Sequence, residues 1–178
     1  MIDKHVIDTN VLLVASSAHE SSPFAPDATP IEEKVLRNKV LTWLVDFEQS
    51  DRQIVYDWGW KIPGEYQNKL TEQDYGMRVF LHKLDTGRAT GVLVNYDADG
   101  HAIIDNLVLR GAITDLADRK MVAAVLAAGG IANGCTLVNA CDTDWYDWQT
   151  ELEYAGVIVE QLLGQEWCYP KWQEKLQR

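Results

Sequence analysis

The chain has 178 residues, 47% of them apolar and 10% aromatic, which is enough to bury a sizeable core and excludes a disordered segment; a single domain over residues 1–178 is the default. Its 27 Asp and Glu against 16 Lys and Arg leave a net charge of −11, so it is not built to coat nucleic acid by broad phosphate neutralisation. No stretch approaches the roughly 20 uninterrupted apolar residues of a membrane helix, the opening Met1-Ile2-Asp3-Lys4 lacks the order of a secretory signal, and Cys135, Cys141 and Cys168 form no CxxC pair or even disulfide set. The expectation is a cytoplasmic protein with no membrane association.

In chain order, His5-Val6-Ile7 reads as a short strand, followed by a helix opening near Asn10. Residues 16–30 are rich in Ser, Pro and Ala and read as a loop. Thr29-Pro30-Ile31-Glu32 has the form of a capping box and predicts a helix from there, with Ile31, Val35, Leu36, Val40, Leu41, Leu44 and Phe47 on its packed face. Residues 53–56 are a strand candidate, and 64–70 and 72–84 are helical, the second with Met77, Phe80, Leu81 and Leu84 inward. Residues 90–109 hold two β-rich runs around Asp97-Ala98-Asp99-Gly100, the pattern of a β-hairpin whose acids serve the turn.

The alanine-rich run 115–130, acidic at its start and closed by Gly129-Gly130, is the clearest helix. Residues 135–141 read as a fully buried strand entering Asp142-Thr143-Asp144, and a last helix (145–155) and strand (157–159) lead to an aromatic tail. Strands alternating with helices predict an α/β sandwich with a mainly parallel sheet.

In such sheets the binding crevice lies beyond the carboxyl ends of the strands. Two strand candidates finish in acids there, one in Asp8 and one in Asp142 and Asp144, while Glu65 and Asp118 stand near helix starts. Capping explains Asp118 and Asp8 well enough, but not a pair of acids after a buried strand. Carboxylates gathered at one crevice repel one another by several kcal/mol at an effective dielectric of about 20, and remain ionised together only beside a cation. Hard oxygen donors suit Mg²⁺ or Mn²⁺.

The blocks "VIDTNVLL", "GEYQNKL", "DLADRKMVAAVLAAG" and "TLVNACDTDW", in that order across roughly residues 2–148, resemble the motifs of the PIN-domain nucleases. The resemblance implies a three-layer, Rossmann-like α/β/α fold, here with an extra hairpin near 90–109, and metal-dependent cleavage of RNA, usually single-stranded. It also implies roles: Asp8, Glu65, Asp118 and Asp142 as catalytic acids that bind Mg²⁺ or Mn²⁺, Asp144 as an added ligand, and Asn10 with Thr9 in support. Asp115 competes for the third position. Arg119, Lys120 and Trp145 are read as RNA contacts, and Trp58, Trp60 and Trp148 also flank the acids.

Two departures stand out. The loop before the capping box and the 90–109 segment are longer than compact family members need, and Asn139-Ala140-Cys141 stands where a Thr-Gly step is more usual. The alternatives are an inactive PIN-like RNA-binding or scaffold domain, and a phosphatase of the haloacid dehalogenase kind, which needs a second Asp where this chain has Asn10. The implied partners are single-stranded RNA, an antitoxin or other protein, and a second copy in a homodimer.

Overall fold

The computed structural model describes residues 1–23 and 25–178. Five strands, β1 (Lys4–Ile7), β2 (Gln53–Asp57), β3 (Ala89–Val92), β4 (Cys135–Asn139) and β5 (Val159–Gln161), form one all-parallel sheet in the order β3-β2-β1-β4-β5. β1 is central. It pairs Lys4 with Gln53 on one side, and Lys4 through Ile7 with Cys135 through Val138 on the other. The chain therefore lays down β1, β2 and β3 outward, then crosses back to place β4 against the other edge of β1. A cleft opens where that direction reverses, at the carboxyl ends of β1 and β4.

Helices cover both faces, as a parallel sheet requires. On one face His5 of β1 meets Trp43 and Phe47 of α2 (Lys34–Gln49), with ring centroids 5.9 and 5.6 Å away. Its neighbour Val6, which points the opposite way, is equally buried. Helices α1 (Thr9–Ala18), α3 (Lys61–Lys69), α4 (Tyr75–Asp85), α5 (Leu107–Ala112), α6 (Arg119–Ala127), α7 (Asp144–Asp147), α8 (Gln149–Tyr154) and α9 (Tyr169–Leu176) complete the fold. Among the described residues no helix is long and apolar enough to cross a membrane.

Where structure and pattern part, burial decides. The loop predicted over 16–30 starts later, because α1 runs to Ala18; it contains a 3₁₀ turn at Pro26–Ala28, and its Phe24 lies outside the described residues. The capping box does not open a helix. Thr29 Oγ1 accepts the amide of Ile31 at 3.3 Å, Ile31 enters the core from a non-helical segment, and α2 starts only at Lys34, leaving Val35 72% exposed. Burying Ile31 outweighs one more helical turn.

The expected hairpin reduces to a single antiparallel bridge between Tyr96 and Ala102. Its first run instead supplies β3, an edge strand paired in parallel with β2, and its end forms α5. The last predicted helix breaks at Trp148, which is buried edge-on against Trp145, into α7 and α8.

α4 crosses α1 at a glycine. A Cβ on Gly76 would stand 2.7 Å from both the carbonyl oxygen and the Cβ of Leu12, and the Gly76 amide donates to Ser16 Oγ at 2.8 Å. Overpacking of this kind costs about 1–3 kcal/mol. Gly76→Ala is expected to lower the thermal midpoint by about 2–10 °C, with far-UV circular dichroism unchanged at low temperature; a midpoint equal to that of the unsubstituted chain would show that the two helices separate freely.

Candidate functional site

Asp8 follows β1 with an extended backbone and caps α1, its Oδ1 accepting the Asn10 amide at 3.3 Å. Its second oxygen accepts the indole N–H of Trp145 at 2.8 Å. Trp145 is fully buried, so it offers no face to an RNA base; the contact predicted for it is replaced by a bond that orients Asp8. Capping and membership of a site are thus properties of one carboxylate.

The side chain of Asn10 ties the ends of β1 and β4 together. Its Nδ2 donates to Asn139 Oδ1 at 2.9 Å, and its Oδ1 accepts the Ala140 amide at 2.9 Å. Asn139, fully buried at the end of β4, accepts the Asp142 amide at 3.0 Å and donates through Nδ2 to the Asp142 carbonyl at 2.8 Å and to Gln161 Oε1 at 2.7 Å. Two amide side chains therefore fix the loop that carries Asp142. Asn139 has a positioning role that sequence reading missed; the available signal was an Asn closing an apolar strand, where a buried amide needs partners.

Glu65 projects from α3 to the same place. Thr9 donates its hydroxyl to Glu65 Oε1, and Lys120 of α6 pairs with Oε2 at 2.5 Å. Lys120 also donates to the Ala117 carbonyl at 2.7 Å. Arg119, the other predicted RNA contact on this turn, donates instead to the carbonyls of Ile113 and Arg110. Asp118 precedes α6 but makes no capping bond through its side chain. Asp115 is exposed and holds the turn, its Oδ1 accepting the Ala117 amide at 2.8 Å.

Asp8, Glu65, Asp118 and Asp142, with Thr9, Asn10, Lys69 and Cys141, line one cleft of about 230 Å³. Asp144 is not among the lining residues. Its amide donates to Asp142 Oδ1 at 2.9 Å, while its own carboxylate turns to Lys175 of α9 at 2.6 Å. Lys175 also reaches Asp147 at 2.6 Å, and Trp172 donates to Asp147 at 2.7 Å, so α9 rests on the helix that follows the Asp142 loop.

The acids destabilise one another's charge. Burial first, then the nearby Asp142, pushes the Asp8 carboxyl up to about 7, although the bonds from Trp145 and Asn10 favour the anion. Burial, then Asp8, Asp142 and Asp115, pushes Asp118 up to about 8 against the pull of Lys120. Asp142 is raised as well, chiefly by burial. Each Asp8 oxygen accepts one hydrogen bond and keeps a lone pair free. Buried, mutually repelling, hard oxygen donors of this kind fit a divalent cation of the Mg²⁺ or Mn²⁺ type, and Asp8, Asp118 and Asp142 are the residues that would hold it.

Asp97, Asp99 and His101 form a separate group whose ligand atoms all lie within 4.8 Å of one another. The hydrogen bonds of a turn account for it: Asp97 Oδ1 accepts the amides of Asp99 at 3.0 Å and His101 at 2.9 Å. Among the described residues the cleft acids do not make a trio that close, with Glu65 drawn to Lys120 and Asp8 to Trp145.

Because Asp8 and Asp118 hold protons to higher pH when folded than when unfolded, the folded chain binds more protons than the unfolded one between about pH 4 and pH 8. Their contribution to stability is complete below that window and is lost as pH rises through it. In EDTA, Asp8→Asn is expected to raise the thermal midpoint at pH 8.5 by about 2–6 °C and to give no gain at pH 4. Equal midpoint differences at both pH values would remove the repulsion among these acids.

No family model matches this chain, nor does any curated protein or solved structure, so what the cleft does is read from its own residues.

Proposed function

We propose that the protein is a metal-dependent endoribonuclease of the PIN type that hydrolyses phosphodiester bonds of single-stranded RNA. One observation carries the reading: Asp8 from the end of β1, Glu65 from α3, Asp118 from the head of α6 and Asp142 from the end of β4 line one cleft at the switch point of a parallel sheet. Carboxylates drawn from four elements exceed what capping those elements needs, since of the four only Asp8 serves as a helix cap through its side chain. Asp118 in particular caps nothing with its side chain, yet it lies beside like charges that push its carboxyl up. Such an arrangement is kept for what it binds.

Bound there, Mg²⁺ or Mn²⁺ would lower the pKa of a water and offset charge on the phosphodiester. The remaining work belongs to the chain. Asp8 is oriented by Trp145 and by its place in the α1 cap, and Asp142 by the Asn10–Asn139 amides. Lys69, exposed at the cleft, supplies a cation for a non-bridging phosphate oxygen. In the reaction water adds to phosphorus, one P–O ester bond breaks, and the leaving oxygen takes up a proton. A flexible single strand suits this opening better than a duplex, because a chain at −11 has little positive surface for gripping two strands.

One observation favours the second reading, an inactive RNA-binding or scaffold domain: Lys120 already balances Glu65, one of the cleft acids. Activity separates the two. Labelled single-stranded RNA is expected to be cleaved with Mg²⁺ or Mn²⁺ and not in EDTA, and the duplex of the same sequence to be cut weakly. Asp8→Asn and Asp118→Asn are each expected to reduce the rate by more than about 100-fold, beyond the loss usual for an outer partner of a metal ligand. Undiminished cleavage in EDTA refutes the metal reading, equal cleavage of both RNA forms refutes the single-strand preference, and absence of cleavage with either metal favours the scaffold.

A further inference from the structure

The acid cleft does not stand alone. On its α3 side a second cleft of about 380 Å³ shares Glu65 with it and is lined by Trp60, Lys61, His101 and Lys120. On its other side a third, of about 470 Å³, shares Cys141 and Asp142 and is lined by Lys171, Lys175 and Arg178. The acid cleft thus has a neighbour across a shared wall on each side. The second cleft balances Lys61 and Lys120 with Glu65 and Asp99, whereas the third sets Lys171, Lys175 and Arg178 against Asp142 and Glu174 and so carries a small positive excess in a chain with a net charge of −11. The Lys171–Glu174 pair, at 3.4 Å, is exposed on both sides and open to exchange for a phosphate.

Trp60 is the unusual member. Among the described residues it is the one non-glycine with positive φ, at φ 61° and ψ 22°, a conformation that disfavours a bulky side chain. Nothing in helix capping requires it, since its side chain makes no cap bond and Asp57 serves the head of α3 by accepting the amides of Lys61 and Ile62. The indole is held against Tyr56 at 5.6 Å and Phe80 at 6.1 Å, and its N–H reaches Gln67 at 3.3 Å, yet it is 41% exposed into the cleft. An aromatic ring fixed on its inner side and open on its outer side is a stacking shelf. Lys61 beside it lies 5.9 Å over the Tyr96 ring and, among the described residues, pairs with no carboxylate.

We propose that the acid cleft is the middle of a track for an extended single strand of RNA, with Trp60 stacking one base on the α3 side and Lys171 and Arg178 holding phosphates on the α9 side. What happens at the centre rests on the nuclease reading above; the track concerns binding on both sides of it. A strand must then extend past the acids in both directions, which restricts attack to internal bonds.

The test uses the full chain carrying Asp118→Asn, with Mg²⁺ present, and a fluorescein-labelled ten-nucleotide single-stranded RNA read by anisotropy. Moving one abasic residue along the oligonucleotide is expected to weaken binding about 5- to 100-fold at one position and little elsewhere, the range for loss of one stacked base. Trp60→Asn, which suits a left-handed backbone, should bind the intact strand with a similar loss and level the abasic profile. Trp58→Ala removes a tryptophan that is 66% exposed but lines neither cleft, and should leave both unchanged. Lys171→Gln with Arg178→Gln should lower the slope of log affinity against log salt by about 1.4.

A level abasic profile in the parent chain, an equal loss in Trp58→Ala, or an unchanged salt slope overturns the track. The abasic scan needs no substitution at Trp60, so a Trp60 variant that fails to fold does not shield the proposal. Cleavage by the chain without Asp118→Asn is measured separately: cleavage with a level profile overturns the track and spares the nuclease reading, whereas the expected profile without cleavage does the reverse.

Discussion

Carboxylates placed together at the end of a sheet push apart, and the structure depends on what resists that push. Here the restraint is a pair of amides. Asn10, the second residue of α1, and Asn139, the last residue of β4, bond to each other and to the backbone of residues 140–142. Amides suit the task because each offers a donor and an acceptor yet carries no charge to add to the repulsion. Because Asn139 ends β4 and Asn10 follows the end of β1 by three residues, the rigidity of β1–β4 pairing passes to Asp8 and Asp142.

The same constraint orders the surroundings. Tyr66, fully buried, donates to the Ile7 carbonyl at 2.5 Å, so α3 is hung from the residue before Asp8 and brings Glu65 with it. Trp145 reaches Asp8 from α7, immediately after the Asp142 loop. Asp8 and Glu65 are thus located by neutral donors, Trp145 on α7 and Thr9 on α1. Charge enters at the margins, through Lys120 and Lys175, which balance Glu65 and Asp144.

Local pattern carried the strands, most helices and the parallel sheet, because buried strands separated by amphipathic helices leave few other arrangements. It misjudged segments whose fate is set by distant partners. The run at 90–94 alternates in the same way whether it pairs with its neighbour or with β2, and the β2 edge took it. Thr29 looks like a cap until Ile31 is seen filling the core. At the cleft, the placement of Asp8 and Asp142 follows from strand ends, but the burial of Trp145, the Lys120–Glu65 pair and the turn of Asp144 toward α9 arise across 20 or more residues of sequence separation and have no local signature. For Asp8 cap and site are not alternatives, since one carboxylate oxygen serves the helix while the residue still lines the cleft.

α9 has no buried residue. It is docked by the Lys175 pairs with Asp144 and Asp147, whose side chains are 32–44% exposed, by Trp172 on Asp147, and by Trp172 stacked 5.5 Å from Tyr146. The ion pairs among these weaken as counterions screen them, whereas the ring stack and a core do not. The last helix is therefore a latch whose grip varies with ionic strength: concentrated salt loosens it, and with it one wall of the Asp142 cleft, while the sheet beneath stays shut.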